Sequence, residues 1–196
     1  MRAERLLTMI RPAALPGRGG GDARRVSERR LVRAAQEGSG EALEDLFRLH
    51  WPAAFRSAYY IVHDAAAAED IAQEAFLAAV RALDRFDGRR PFAPWINRIV
   101  VNRAIDFTRA RALRREVGAE LGERAEAPPP AAGISDQLMT ALAELAPEQR
   151  AVVVLRYLLD WTPGEISRAL GIPRGTVNSR LRRALDRLAG KVGEDR

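Results

Sequence analysis

Cysteine is absent from the 196 residues, which excludes disulfides and thiolate metal sites. Histidine is scarce. His63-Asp64 invites a metal-hydrolase reading, but the second histidine, His50, brings no companion cluster, and a pair that ends one helix and starts the next is the better account. Lysine is nearly missing: Lys191 is the only one, so arginine supplies the remaining positive charge in a chain of net charge +6. Arginine makes fixed, bidentate contacts with phosphates and base edges, so this balance points toward nucleic acid, although a GC-rich coding bias produces the same enrichment. No apolar run approaches the roughly 20 residues that span a bilayer. The start, MRAERLLTMIRP, has no long apolar core and makes a poor secretory signal, so a cytoplasmic location without membrane insertion is expected.

What is present is organised around Trp161 to Leu188. Thr162 is placed to cap a helix, Pro163 suits its first position, and Glu165 sits where a capping-box carboxylate reaches back to the cap. Ile166, Ala169 and Leu170 form a short apolar face, and Gly171 is suited to the left-handed conformation that ends a helix. Beyond Gly171-Ile172-Pro173, a second helix is marked by Val177, Leu181, Leu185 and Leu188 at spacings of three or four. Its other side carries Arg174, Asn178, Ser179, Arg182, Arg183 and Arg187. This is a helix-turn-helix whose second helix is built for a DNA major groove, where arginine reads guanine and asparagine adenine.

Residues 1–26 are rich in Gly, Pro and Arg and read as a flexible tail. Ser27 is expected to cap the first helix, with Leu31 and Val32 on its apolar face, and Gly38-Ser39-Gly40 breaks it before a second helix that bends at Pro52. A long helix over Asp64 to Leu83 places Ile71, Ala75, Ala78, Ala79 and Ala82 on one side. Asp70, Gln73, Glu74, Leu77 and Arg81 lie on another, and the stretch from Asp64 to Asp87 is acidic in an otherwise basic chain. That acidic face fits a protein partner and helix solubility equally well. Phe86 to Pro94 reads as a loop. From Trp95 a helix carries Ile96, Val100, Ala104 and Phe107 on one side and Arg98, Asn102, Asp106 and Arg109 on another. Arginines crowded beside an aromatic loop are what a protein needs to grip phosphates and stack single-stranded bases. Pro128-Pro129-Pro130 lies in a stretch with no apolar period, a linker over 116–134. Residues 135–190 then form a small four-helix unit containing the helix-turn-helix, followed by a tail at 191–196.

The run LAPEQRAVVVLRYLLDWTPGEISRALGIPRGTVNSRLRRALDRL resembles region 4 of bacterial sigma factors, in particular the extracytoplasmic-function (ECF) group of the sigma-70 family. AEDIAQEAFLAAVRALDRF resembles region 2.2, and PFAPWINRIVVNRAIDFTRAR resembles regions 2.3 and 2.4. The resemblance implies an all-α protein of two small helical domains, region 2 over 27–115 and region 4 over 135–190, joined by a flexible linker. It implies an initiation factor that is not an enzyme and carries no cofactor or metal. Asp70, Gln73, Glu74 and Leu77 correspond to the surface that docks on the beta-prime clamp helices of core RNA polymerase, and region 4 to the part that meets the beta flap. Phe86, Arg89, Arg90, Phe92, Trp95, Arg98, Asn102, Arg103 and Arg109 correspond to the part that binds and melts the minus-ten element. Asn178, Ser179, Arg182 and Arg183 correspond to readers of the minus-thirty-five element, with Thr176 and Arg180 on phosphate and Arg174 in the same DNA-binding set. An anti-sigma partner is common in the group. Asn178 stands where relatives carry lysine or arginine, so their minus-thirty-five preference does not transfer. Two rivals fit the residues less well. An ordinary regulator leaves the Trp95 helix unexplained, and a recombinase lacks a nucleophile constellation, since Ser39, Ser57 and the histidines form none.

Overall fold

The computed structural model describes residues 21–116 and 136–192. The expected linker and C-terminal tail fall almost wholly outside this range, as do residues 1–20 of the expected N-terminal tail. Among the described residues the protein is all helix: α1 (Gly21–Gln36), α2 (Gly40–Val62), α3 (Ala65–Ala82), a 3-10 turn at Leu83–Arg85 and α4 (Phe92–Glu116). The second unit has α5 (Asp136–Ala143), α6 (Pro147–Val153) running into a π turn at Val154–Leu158, α7 (Pro163–Leu170) and α8 (Arg174–Val192).

The helix boundaries follow local chemistry. Ser39 Oγ accepts from the Ala42 N–H at 3.2 Å and caps α2, and Asp64 Oδ1 accepts from the Ala67 N–H at 3.0 Å and caps α3. His63 closes α2 in the left-handed conformation at φ 56°, so the His63-Asp64 pair is the joint between two helices. Two expectations are corrected. α1 begins at Gly21, six residues before Ser27, which lies inside the helix; no breaker separates Gly21 from Ser27, so a hydroxyl cap there is not needed. α4 begins at Phe92, three residues before Trp95, so the expected loop over Phe86 to Pro94 is helix from Phe92 onward, its first N–H taken up by the Glu28 carboxylate. α2 continues through Pro52, as the apolar residues beyond it lead one to expect.

The first unit closes around Leu46, Ile61, Ile96, Val100 and Val101, each under 2% exposed. α2 is its centre and packs on α1, α3 and α4. A buried Ser57–Asn97 contact of 3.2 Å ties α2 to α4. In the second unit, α6 and α8 enclose Leu142, Leu155, Leu158, Ile166 and Leu188. The two units touch: α4 packs on α6 and α7, and the π turn reaches α2. At that seam sits Arg150, a buried cation whose Nε donates to Leu142 O at 2.8 Å, while Nη2 donates to Ala143 O at 2.6 Å and to Leu145 O at 3.2 Å. Its Nη1 crosses to the first unit and donates to Ile61 O.

Candidate nucleic-acid and polymerase interfaces

The helix-turn-helix is built as its residue types require. Glu165 N donates to Thr162 Oγ1 at 3.3 Å, and the Glu165 carboxylate accepts from the Thr162 N–H at 2.8 Å, completing the capping box. Gly171 closes α7 at φ 65°, and Ser167 Oγ donates to Ile172 O at 2.7 Å to fix the turn. Pro173 O accepts the N–H groups of Thr176 and Val177, which starts α8. Val177, Leu181 and Leu188 are buried, while Arg174, Asn178, Arg182 and Arg183 are exposed and Thr176, Ser179 and Arg180 are half-buried. Arg182 and Arg183 therefore lie on the side of α8 away from its core stripe, while Arg174 is exposed in the first turn, seven residues before the buried Leu181. Ser179 turns its hydroxyl to Thr176 O at 3.0 Å, so that proton is already engaged within the helix.

In the first unit, the segment between α3 and α4 is held by α1. Gln36 Nε2 donates to Leu83 O and Phe86 O, both at 2.9 Å, and the Glu28 carboxylate accepts the first N–H of α4, from Phe92, at 2.8 Å. Glu28 and Gln36 were not picked out from the sequence, and nothing local could have done so, because their partners lie 47 to 64 positions away. Phe86, Phe92 and Trp95 form a cluster with ring centroids 4.6 to 5.7 Å apart. Phe86 and Phe92 are 8% and 2% exposed, so their rings belong to the core and do not offer a face to a base. Trp95, half-buried against them, is the ring of this cluster that retains solvent access. Arg89 and Arg90 are exposed and both lean on Asp87, at 3.0 and 3.8 Å. The hydrogen bond from Arg89, ahead of the neighbouring charges, holds the Asp87 carboxyl below its ordinary range.

Along α4, Arg98 and Arg109 are exposed and Asn102 and Arg103 half-buried, while Ile96, Val100 and Ala104 point inward. Arg103 reaches back to α3 and pairs with Glu74 at 2.9 Å, and Arg109 pairs with Glu148 of the second unit at 2.8 Å. Thus two residues expected at different surfaces, Glu74 and Arg103, meet each other. Asp70, Gln73, Glu74 and Leu77 are all exposed on α3. Beside them runs an apolar groove of about 480 Å³ between α2 and α3, lined by Leu43, Phe47, Phe76, Leu77 and Val80. Leu77 is 57% and Val80 42% exposed, so the acidic face also carries apolar side chains beside the groove. Phe47 was missed in the sequence because it comes from α2, and Val80, on α3 itself, was passed over beside Leu77. Among the described residues no His/Asp/Glu cluster suited to a metal occurs, and no helix is long and apolar enough to cross a membrane.

Known proteins match both units. A family model described as Sigma-70 region 2 covers residues 46–114, and one described as Sigma-70 region 4 covers residues 135–188. The chain belongs to the sigma-70 family of RNA polymerase sigma factors. RNA polymerase sigma factor CarQ of Myxococcus xanthus is 32% identical over 166 residues, spanning 81% of this chain and 94% of the relative. ECF RNA polymerase sigma factor SigC of Mycobacterium tuberculosis (strain CDC 1551 / Oshkosh) is 32% identical over 170 residues, spanning 84% and 91%. Among solved structures, the sigma factor RpoE in complex with the anti-sigma factor NepR from Bartonella quintana superposes with a TM-score of 0.64 at 25% identity, covering 78% of this chain and 98% of that one. These matches place this sigma factor in the ECF group, as its own motifs imply.

Proposed function

We propose that this ECF sigma factor binds core RNA polymerase, recognises promoters through two helices and nucleates strand opening without covalent chemistry. The observation that carries the reading is the presence, on one chain, of two arginine-bearing helices in separately matched units and a third helix whose acidic, apolar face is open beside a groove. α8 is assigned to the minus-thirty-five duplex, with Arg182, Arg183 and Asn178 toward base edges and Arg174, Thr176 and Arg180 toward phosphates. α4 is assigned to the minus-ten element. Trp95 supplies the stacking face, Arg98, Asn102, Arg103 and Arg109 line the strand path, and Phe86 and Phe92 act from the core by fixing the tryptophan. The α3 face with Asp70, Gln73, Glu74 and Leu77 is assigned to the beta-prime clamp helices, and the second unit also to the beta flap. An anti-sigma factor is a further partner by analogy with the RpoE complex.

The test is promoter-dependent transcription with purified core polymerase on a genomic promoter library. Initiation at a defined set of starts supports the reading. Failure to initiate on every member, with duplex binding retained in the absence of polymerase, would replace it with an ordinary DNA-binding regulator.

A further inference from the structure

The names of the two promoter elements place them about 25 base pairs apart, roughly 80 Å of B-form duplex. A compact body of about 150 residues has a radius of gyration near 15 Å, so the packed arrangement of the two units is too small to reach both elements at once. The residues that hold the units together therefore govern access to DNA. Besides the Arg150 crossing to Ile61 O, an ion pair crosses the seam from Arg109 Nε to Glu148 Oε1 at 2.8 Å. Arg109 lies on α4 beside Asp106, which holds its Nη1 at 3.6 Å, and Glu148 lies in the first turn of α6, where exposed helix N–H groups favour an acid. Burial pushes the Glu148 carboxyl up, but the Arg109 hydrogen bond, the α6 backbone and the charges of Arg109 and Arg180 outweigh it and leave it below its ordinary range. Glu148 thus lies in the field of one arginine from each candidate DNA-reading helix.

We infer that Glu148 is an internal stand-in for a DNA phosphate: in the free chain it engages Arg109, takes the place of a phosphate on that one arginine of α4 and favours the closed arrangement until nucleic acid displaces it. This rests on the reading of α4 and α8 as DNA-contacting helices. The pair is built to yield. Arg109 is 55% and Glu148 28% exposed in their side chains, so salt and competing phosphates reach the bond. Arg150 keeps three acceptors inside its own unit when it releases Ile61 O, so opening strips one hydrogen bond from it and leaves the rest in place.

The experiment uses the full chain, whose lack of cysteine allows a clean donor–acceptor pair at D84C and D186C, two exposed positions outside both candidate surfaces. Transfer efficiency is followed against salt, and the affinity for a labelled single-stranded oligonucleotide is measured alongside. Glu148→Gln is expected to raise the open-to-closed ratio roughly threefold to fivefold, the worth of one partly exposed pair, and to tighten oligonucleotide binding by a similar factor. The charge exchange R109E/E148R should restore the transfer efficiency of the parent chain. Thermal melts of all variants separate opening of the seam from unfolding of either unit. Unchanged transfer efficiency in Glu148→Gln, a charge-exchanged chain that stays open, or opening without a gain in oligonucleotide affinity would each overturn the inference. These readouts contain no polymerase, so failed transcription with an intact opening response would count against the initiation-factor reading and leave the latch standing.

Discussion

Arg150 combines three unusual properties: it is charged, 8% exposed, and surrounded by main-chain carbonyls. Burial lowers its pKa to about 10, which still leaves it protonated at neutral pH. It gathers the carbonyls at the end of α5, which have no partner within that helix. Arg150→Ala should cost about 3 kcal/mol, because several buried acceptors lose their donor together. Urea titration would show this as a lower midpoint, and Arg150→Lys should recover only part of it, since one ammonium cannot replace a fork of five N–H groups. His63 lies near the same charge, and its Nε2 is buried without a hydrogen-bond partner. Burial first and Arg150 second push its pKa down to about 3, against a backbone hydrogen bond with Tyr60. The unfolded imidazole titrates near 6.5, so between about 6.5 and 3 the unfolded state takes up a proton that the folded state refuses. Stability is full above that window and declines as pH falls through it. His63→Asn, which tolerates the left-handed cap, should flatten this part of the pH–stability curve relative to the parent chain. On α8, Arg183→Ala should weaken minus-thirty-five binding by about 1 to 3 kcal/mol in a sequence-dependent way if it reads a base. A uniform loss across DNA sequences in the binding titration would move Arg183 to the phosphates.

At the scale of elements, α7 owes its start to two residues three apart. Thr162→Ala removes the hydroxyl acceptor of the capping box and should cost about 1 kcal/mol, read as a lower melting temperature. Such local signals explain which parts of the fold were legible. Thr162, Pro163, Glu165 and Gly171 announced α7 and its end because capping chemistry acts within four residues. The inward stripes of α3, α4 and α8 were legible because their period is set by the helix itself. Tertiary choices were not. The Gly and Pro of the Phe86–Pro94 segment announced a loop but placed its end three residues late, since α4 already begins at Phe92, and whether its rings turn inward depends on Glu28 and Gln36, contributed from α1. The start of α1 was misplaced because Ser27 is a good cap in a sequence that already permits helix before it. The second groove wall, with Phe47, came from α2 and so escaped a reading confined to α3.

For the molecule as a whole, the proposed docking and DNA-reading surfaces lie on different helices, yet Glu74 and Arg103 pair across them at 2.9 Å. Replacing Asp70 and Glu74 together by alanine should weaken binding to core polymerase, measured by competition with a reference sigma factor, while duplex binding by α8 stays unchanged. Unaltered competition would remove α3 from the docking surface and leave the groove without an assigned partner. The same substitution frees Arg103, so a simultaneous change in single-strand affinity would identify that pair as a link between the two events.

The three tryptophans are distributed so that each reports a different place. Trp51 stacks on Phe47 at 4.8 Å beside the groove, Trp95 packs on Phe86 at 4.6 Å beside the proposed strand path, and Trp161 is buried in the second unit. Chains retaining one indole apiece would turn intrinsic fluorescence into a three-channel recording of the molecule at work. Polymerase docking would be seen from Trp51, base stacking from Trp95, and the integrity of the reader from Trp161, with no dye attached.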